Sequence, residues 1–181
     1  MERPWPRAHV RTLEVGRDEV QWREAANRKD GIFAGVRFSA PRERVHVWQL
    51  ATDYTDLGAI TPGVTAVRYL ERTPTRQVIQ VDVQVLWKTL QLTFETEQDP
   101  PESIRFQLNA PILGEYRGLC MFQERAAAQT TDVELSTWLK PARPVPMRLL
   151  LVVERMTLLQ GVKSFLKSCE VSRPASHPPV S

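Results

Sequence analysis

Apolar positions recur with period two along most of this chain and with helical period in two places, and those switches predict its architecture. Ile32, Ala34, Val36 and Phe38 share one face with Gly35, Arg37 and Ser39 opposite, as a half-buried strand requires. The period then changes: Pro41 and Glu43 suit a first helical turn, and Val45, Trp48 and Ala51 or Thr52 recur at helical spacing. A second short helix is expected over 53–59, before Pro62-Gly63 turns the chain. Six period-two runs follow, at 64–71, 78–85, 89–97, 103–108, 115–124 and 131–139, most of them parted by breakers such as Thr73-Pro74-Thr75 and Asp99-Pro100-Pro101. Short connections favour an antiparallel meander. Upstream, 10–15 and 19–24 flank Gly16-Arg17-Asp18 and read as a hairpin.

Pro144-Val145-Pro146 opens a last helix expected to run to about Lys167 or Ser168. Its apolar residues, among them Leu149, Val152, Val153, Met156, Leu159 and Val162, cover more than half the circumference, and Glu154, Thr157, Gly161, Ser164 and Ser168 form a narrow polar face. A helix this apolar needs a concave partner, and the sheet is the candidate. The fold class is therefore α+β, a curved antiparallel sheet around a long C-terminal helix.

Length and composition narrow the class. The 181 residues, 42% hydrophobic and 25% charged, suffice for one sizeable core, expected over 10–168 between flexible segments at 1–9 and 169–181. A net charge of +3 with Lys and Arg interleaved among Asp and Glu argues against a nucleic-acid partner. The absence of an 18-residue apolar run or an apolar leader makes a cytoplasmic protein the expectation. Cys120 and Cys169 form no CxxC pair and are read as reduced thiols.

Ser39-Ala40-Pro41-Arg42-Glu43, Val47-Trp48, Thr52-Asp53-Tyr54, Leu57 and Ile60-Thr61-Pro62-Gly63-Val64 resemble the opening signature of the polyketide cyclase/dehydrase family, which includes Coq10-type coenzyme Q-binding proteins within the START-related, Bet v 1-like (SRPBCC) superfamily. Gly114-Glu115-Tyr116-Arg117-Gly118, Thr130-Thr131-Asp132-Val133, Pro141 and Pro146 sit where that family has similar features, and the likeness spans 32–168. The resemblance implies a helix-grip fold of six or seven strands, two short helices closing one end, and a cavity for lipids, quinones, sterols or polyketides. There are two departures. His46 follows Val45 where relatives often have an aromatic, the Val-Trp pair coming two residues later, and Cys120 stands where relatives often place tryptophan.

Catalytic groups are scarce. His9, His46 and His177 have no metal-ligand spacing, and no GxGxxG, P-loop, GxSxG or HExxH occurs, so no cofactor or metal and no catalytic residue is expected. Asp53 is expected to cap the second short helix, and Tyr54 to pack against the sheet. Arg155 falls within the apolar arc of the last helix, where it must snorkel, pair with a carboxylate or meet a polar group on a ligand. Alternation points Val81, Val83, Leu92, Phe94, Phe106, Leu108, Tyr116, Cys120, Phe122 and Leu135 toward that helix, whose Val152, Arg155, Met156 and Leu159 complete the expected lining. Tyr69 and Tyr116 are candidates to orient a ligand by hydrogen bonds.

The leading function is binding or carrying a hydrophobic small molecule. The alternatives are a polyketide aromatase/cyclase and a ligand-free interaction module with a fully packed core. Arg143, Arg148, Arg155, Lys163 and Lys167 suit transient contact with an anionic membrane surface, although a solvated charge pattern explains them equally well. The sequence leaves the oligomeric state open.

Overall fold

The computed structural model describes residues 10–27, 29–55, 63–85, 87–110 and 114–171. Nine strands form one antiparallel sheet: β1 (Arg11–Val15), β2 (Asp18–Asn27), β3 (Gly31–Ala40), β4 (Val64–Arg72), β5 (Arg76–Val85), β6 (Lys88–Asp99), β7 (Ser103–Ala110), β8 (Gly114–Arg125) and β9 (Thr130–Lys140). Helix α1 (Arg44–Thr52) follows β3, and α2 (Met147–Val171) ends the described chain. The spatial order is β1-β2-β3-β9-β8-β7-β6-β5-β4, so β3 and β9 pair as third and fourth strands and all the remaining neighbours are consecutive in the chain. The N-terminal hairpin extends the sheet beside β3, taking it past the six or seven strands the resemblance implies. Two register shifts in the β4–β5 pair add local bending at the far edge.

Registers place side chains in rows across the inner face. One row runs Trp22, Val36, Leu135, Cys120 and Ile104; the next runs Glu24, Ala34, Thr137, Gly118, Phe106, Thr96 and Gln77; a third runs Ile32, Leu139, Tyr116, Leu108, Phe94, Ile79 and Tyr69. The middle row is the polar one. Its Gly118 leaves room for the Phe106 ring, which rests over the glycine where a Cβ would stand, 2.1 Å from the ring's far carbon.

Two expectations about α1 need correction. The helix begins at Arg44, because Arg42 N–H closes a turn onto the Ala40 carbonyl and Glu43 is still extended. Val45 therefore faces solvent, and Val47 and Trp48 turn inward, Trp48 meeting Phe122 edge-on with ring centroids 5.5 Å apart. Asp53 sits at the C-terminal end of α1, where its carboxylate accepts bonds from the Thr55 amide and hydroxyl. It caps this turn instead of opening a helix. Residues 56–59 of the expected second short helix, the expected tail at 1–9, 172–181 of the expected tail at 169–181, and the Leu57 and 60–62 motif positions lie outside the described residues, whereas 169–171 continue α2 past its expected end because Cys169 is buried in the core.

Helix α2 packs on one half of the sheet. Its close backbone approaches are to β3, β2, β1 and α1. The main core joins Val20, Trp22, Val36 and Phe38 to Trp48, Phe122 and Val133 and to Leu158, Val162, Leu166 and Cys169 of α2. Among the described residues, no side chain of β4, β5 or β6 belongs to this cluster.

Candidate ligand-binding site

The inner face of β4–β8 is apolar but not filled by the helix. Val81, Leu108 and Phe122 are buried, whereas Tyr69, Val83, Leu92, Phe94, Phe106, Tyr116, Cys120 and Leu135 keep part of their surface. Of these residues, Phe122 belongs to the main core, and Cys120 and Leu135 pack against it. Cys120 shows what the retained surface faces: burial pushes its thiol up to about 12, yet the side chain is only half-buried. A half-buried thiol with so large a desolvation sits on the concave face of the sheet, with protein around it on most sides. Tyr54 and Tyr116 behave alike, desolvation raising both phenols above their ordinary value while each remains half-buried. Tyr54 stands near Cys120 and Tyr69, and its amide donates to the Tyr69 hydroxyl at 2.9 Å.

Polar groups enter this interior from α2. Glu154 is 7% exposed, and its Oε1 accepts hydrogen bonds from Tyr116 at 3.0 Å and Thr137 at 2.7 Å. The negative charge of Glu154 and its hydrogen bond add to the desolvation that raises the Tyr116 phenol. One residue on, Arg155 grips Glu24 of β2 with Nη2 at 2.6 and 2.7 Å and Nε at 3.2 Å, while the Trp22 indole donates to the same carboxylate at 2.9 Å. Burial pushes the Glu24 carboxyl up, but hydrogen bonds from Arg155 and Trp22, with the charges of Arg155 and Arg11, hold it below the usual carboxylate range. Of the three outcomes open to Arg155, the structure takes the carboxylate pair.

The sequence reading misplaced part of α2. Val152 and Met156, expected to line the interior, are 47% and 68% exposed, as are their neighbours Leu149 and Val153. Glu154, assigned to the polar face, is buried. Leu159 packs at the margin of the main core. Residues 149, 152, 153 and 156 form one helical stripe, and 154, 158, 162, 165, 166 and 169 another, on roughly opposite sides at about 100° per residue. Glu154 lay in an unrecognised place because its neighbours Val153 and Met156 drew the inward direction toward themselves. Its spacing of four to Leu158 and eight to Val162 was the available signal.

Two surface clefts, of about 390 and 450 Å³, lie elsewhere, one beside the β2–β3 turn with Phe33 and Trp138 in its wall and one beside Arg37 and Asp132. Neither includes Tyr116 or Glu154. Among the described residues, no group of His, Cys, Asp and Glu could hold a metal ion, and no helix is long and apolar enough to cross a membrane. Both cysteines are free.

A sequence profile described as polyketide cyclase / dehydrase and lipid transport matches residues 39–166. The chain belongs to this family. Solved structures that share the fold include the Zhui aromatase/cyclase from Streptomyces sp. R1128, 18% identical with a TM-score of 0.68, covering 80% of this chain and 97% of that one. The STAR-related lipid transfer protein from Xanthomonas axonopodis is 14% identical with a TM-score of 0.68, covering 89% and 98%. A START superfamily protein from Mycobacterium smegmatis is 14% identical with a TM-score of 0.64, covering 78% and 99%. No curated protein matches the chain in sequence. Like these structures, this member of the polyketide cyclase / dehydrase and lipid transport family sets an antiparallel sheet against a long C-terminal helix.

Proposed function

We propose that this protein binds and carries a hydrophobic small molecule, lipid-like, prenylquinone-like or polyketide-like, in the space between the inner face of β4–β8 and the N-terminal half of α2. The observation that carries this reading is the split of the inner face. The β1–β3 half is packed against α2, whereas the β4–β8 half presents half-buried apolar side chains such as Leu92, Phe94 and Phe106 to an interior the helix does not occupy. Burying an apolar ligand against such a lining gains about 25 cal/mol per Å². The family has lipid-transport members as well as cyclases, and two of the groups a cyclase would recruit here are already engaged. Arg155 is held by Glu24 and the Tyr116 proton by Glu154, while the Tyr69 hydroxyl oxygen accepts from the Tyr54 amide and keeps its own proton. A phenol raised well above its ordinary value is also a poor proton donor at neutral pH.

The outward stripe of α2 supports loading and delivery at an anionic lipid surface. Leu149, Val152, Val153 and Met156 are exposed together, and the same face continues through exposed Lys163 and Lys167, with Arg148 alongside. An apolar band followed by basic residues matches the chemistry of an acidic bilayer interface.

Native mass spectrometry of the protein purified from its own host, with identification of extracted lipids and quinones, tests the carrier reading. One apolar molecule per chain, lost in Phe94→Asp, is the expected result. A protein that is empty and takes up no lipid or quinone supplied in excess overturns it.

A further inference from the structure

We infer that Glu154 makes the interior selective for apolar molecules bearing a hydrogen-bond donor, an alcohol or phenol, over molecules of the same size ending in a ketone or a carboxylate. This rests on the carrier reading and names the ligand chemistry of that same site.

Of the two acidic residues on α2, Glu170 is exposed and Glu154 is buried. A buried carboxylate is usually matched by a cation. Among the described residues none reaches Glu154, since its neighbour Arg155 is committed to Glu24. The carboxylate has two oxygens and about four acceptor sites. Both of its hydroxyl donors, Tyr116 and Thr137, bond to Oε1, and no described group bonds to Oε2. Nor is Oε2 sealed off, because the fully buried side-chain polar atoms without a partner are Arg42 Nη2, Arg44 Nε and Gln77 Oε1.

Gln77 Oε1, in the same cross-sheet row as Thr137, also lacks a donor but is fully buried, so it is closed to a ligand. Thr137 and Gln77 are four strand spacings apart, about 19 Å along the sheet. The interior is thus offered one unfilled acceptor, Glu154 Oε2. A hydroxyl satisfies an acceptor, a ketone offers it nothing, and a carboxylate is repelled by Glu154 where water cannot screen the charge. The Tyr116 proton is not available in exchange, since it is already given to Oε1.

The test uses the full chain and three matched probes, 1-decanol, 2-decanone and decanoate, competing with the neutral fluorophore N-phenyl-1-naphthylamine. In the native protein 1-decanol should bind about tenfold more tightly than 2-decanone, the scale of one hydrogen bond to a charged group, and decanoate more weakly still. Glu154→Gln keeps an oxygen for Tyr116 and Thr137 but turns an N–H toward the ligand, so the order of alcohol and ketone should invert. A residue that merely tethers α2 to the sheet would leave the ratio unchanged. Should Glu154→Gln not fold, Tyr116→Phe reads the same property, because freeing a lone pair on Oε1 should raise the alcohol-to-ketone ratio. Equal affinities for alcohol and ketone in native protein, or a ratio unmoved by the variant that folds, overturn the inference and leave the carrier reading standing. Failure of the fluorophore and all three probes to bind overturns both.

Discussion

The Tyr116 hydroxyl on β8 donates to the Glu154 carboxylate on α2 across 3.0 Å, linking strand and helix through two groups that are both removed from bulk water. Thr137 completes the arrangement from the neighbouring strand at 2.7 Å. Replacing either donor leaves a buried carboxylate short of a partner. Tyr116→Phe and Thr137→Val should each lower unfolding stability by about 1–2 kcal/mol, measured as a fall in the urea midpoint at constant slope. A change under a few tenths would mean that water reaches Glu154 freely.

The Glu24–Arg155 pair should confer acid sensitivity. The folded-state pKa of Glu24 is lowered, so its stabilisation is fully present above the ordinary carboxylate value of about 4 and drains away as pH falls through the lowered folded value. Thermal unfolding between pH 6 and 3 should show a steeper loss for the native chain than for Glu24→Gln. Parallel curves would exclude the pair as the cause.

Arg155→Leu removes the closer cation but leaves Glu24, 16% exposed at its side chain, with the Trp22 indole as hydrogen-bond donor and Arg11 at 3.9 Å. A cost of about 2 kcal/mol is expected, below that of breaking a fully buried pair. The double variant Glu24→Leu/Arg155→Leu should recover part of that loss. Equal stability of the single and double variants would show that Glu24 is rescued by solvent.

Gly118→Ala should act on the ligand more than on the fold. The added methyl would meet the Phe106 ring at 2.1 Å, and the ring has somewhere to go, namely the interior beside Tyr116. Affinity for a bulky apolar probe should fall about tenfold while the melting temperature shifts by only a few degrees. Aggregation of the variant instead would show that the ring cannot move.

Met156→Glu changes a side chain that is 68% exposed and should leave stability within about 0.5 kcal/mol. Co-flotation with vesicles of phosphatidylcholine and phosphatidylglycerol should drop, and raising salt should weaken binding of the native protein by screening Lys163 and Lys167. Unaltered flotation would remove α2 from the membrane contact.

Much of this fold is legible in the sequence because strand alternation is local. The runs from Val64 to Leu139 keep their period, and the structure extends most of them by only a residue or two at each end. Orientation of the helices is less legible because it depends on where a helix begins and on which stripe finds a partner. Helix α1 starts three residues after Pro41, enough to turn Val45 outward. Helix α2 carries two apolar stripes that a helical wheel adds into one arc, although only the stripe from Leu158 to Cys169 meets the core. The polar site escaped for a related reason: Glu24, Thr137 and Glu154 are far apart in the chain, and only the β2-β3-β9 register brings them under the same turn of helix.

The division of the sheet also separates two jobs that compete in most small proteins. Permanent cohesion resides where β1–β3, β8 and β9 meet the C-terminal half of α2, and β4–β6 contribute no side chain to that cluster among the described residues. A displacement of the β4–β6 edge would therefore leave every side chain of that cluster in place. For the proposed carrier, that is the arrangement in which guests of differing bulk are exchanged while the host stays folded.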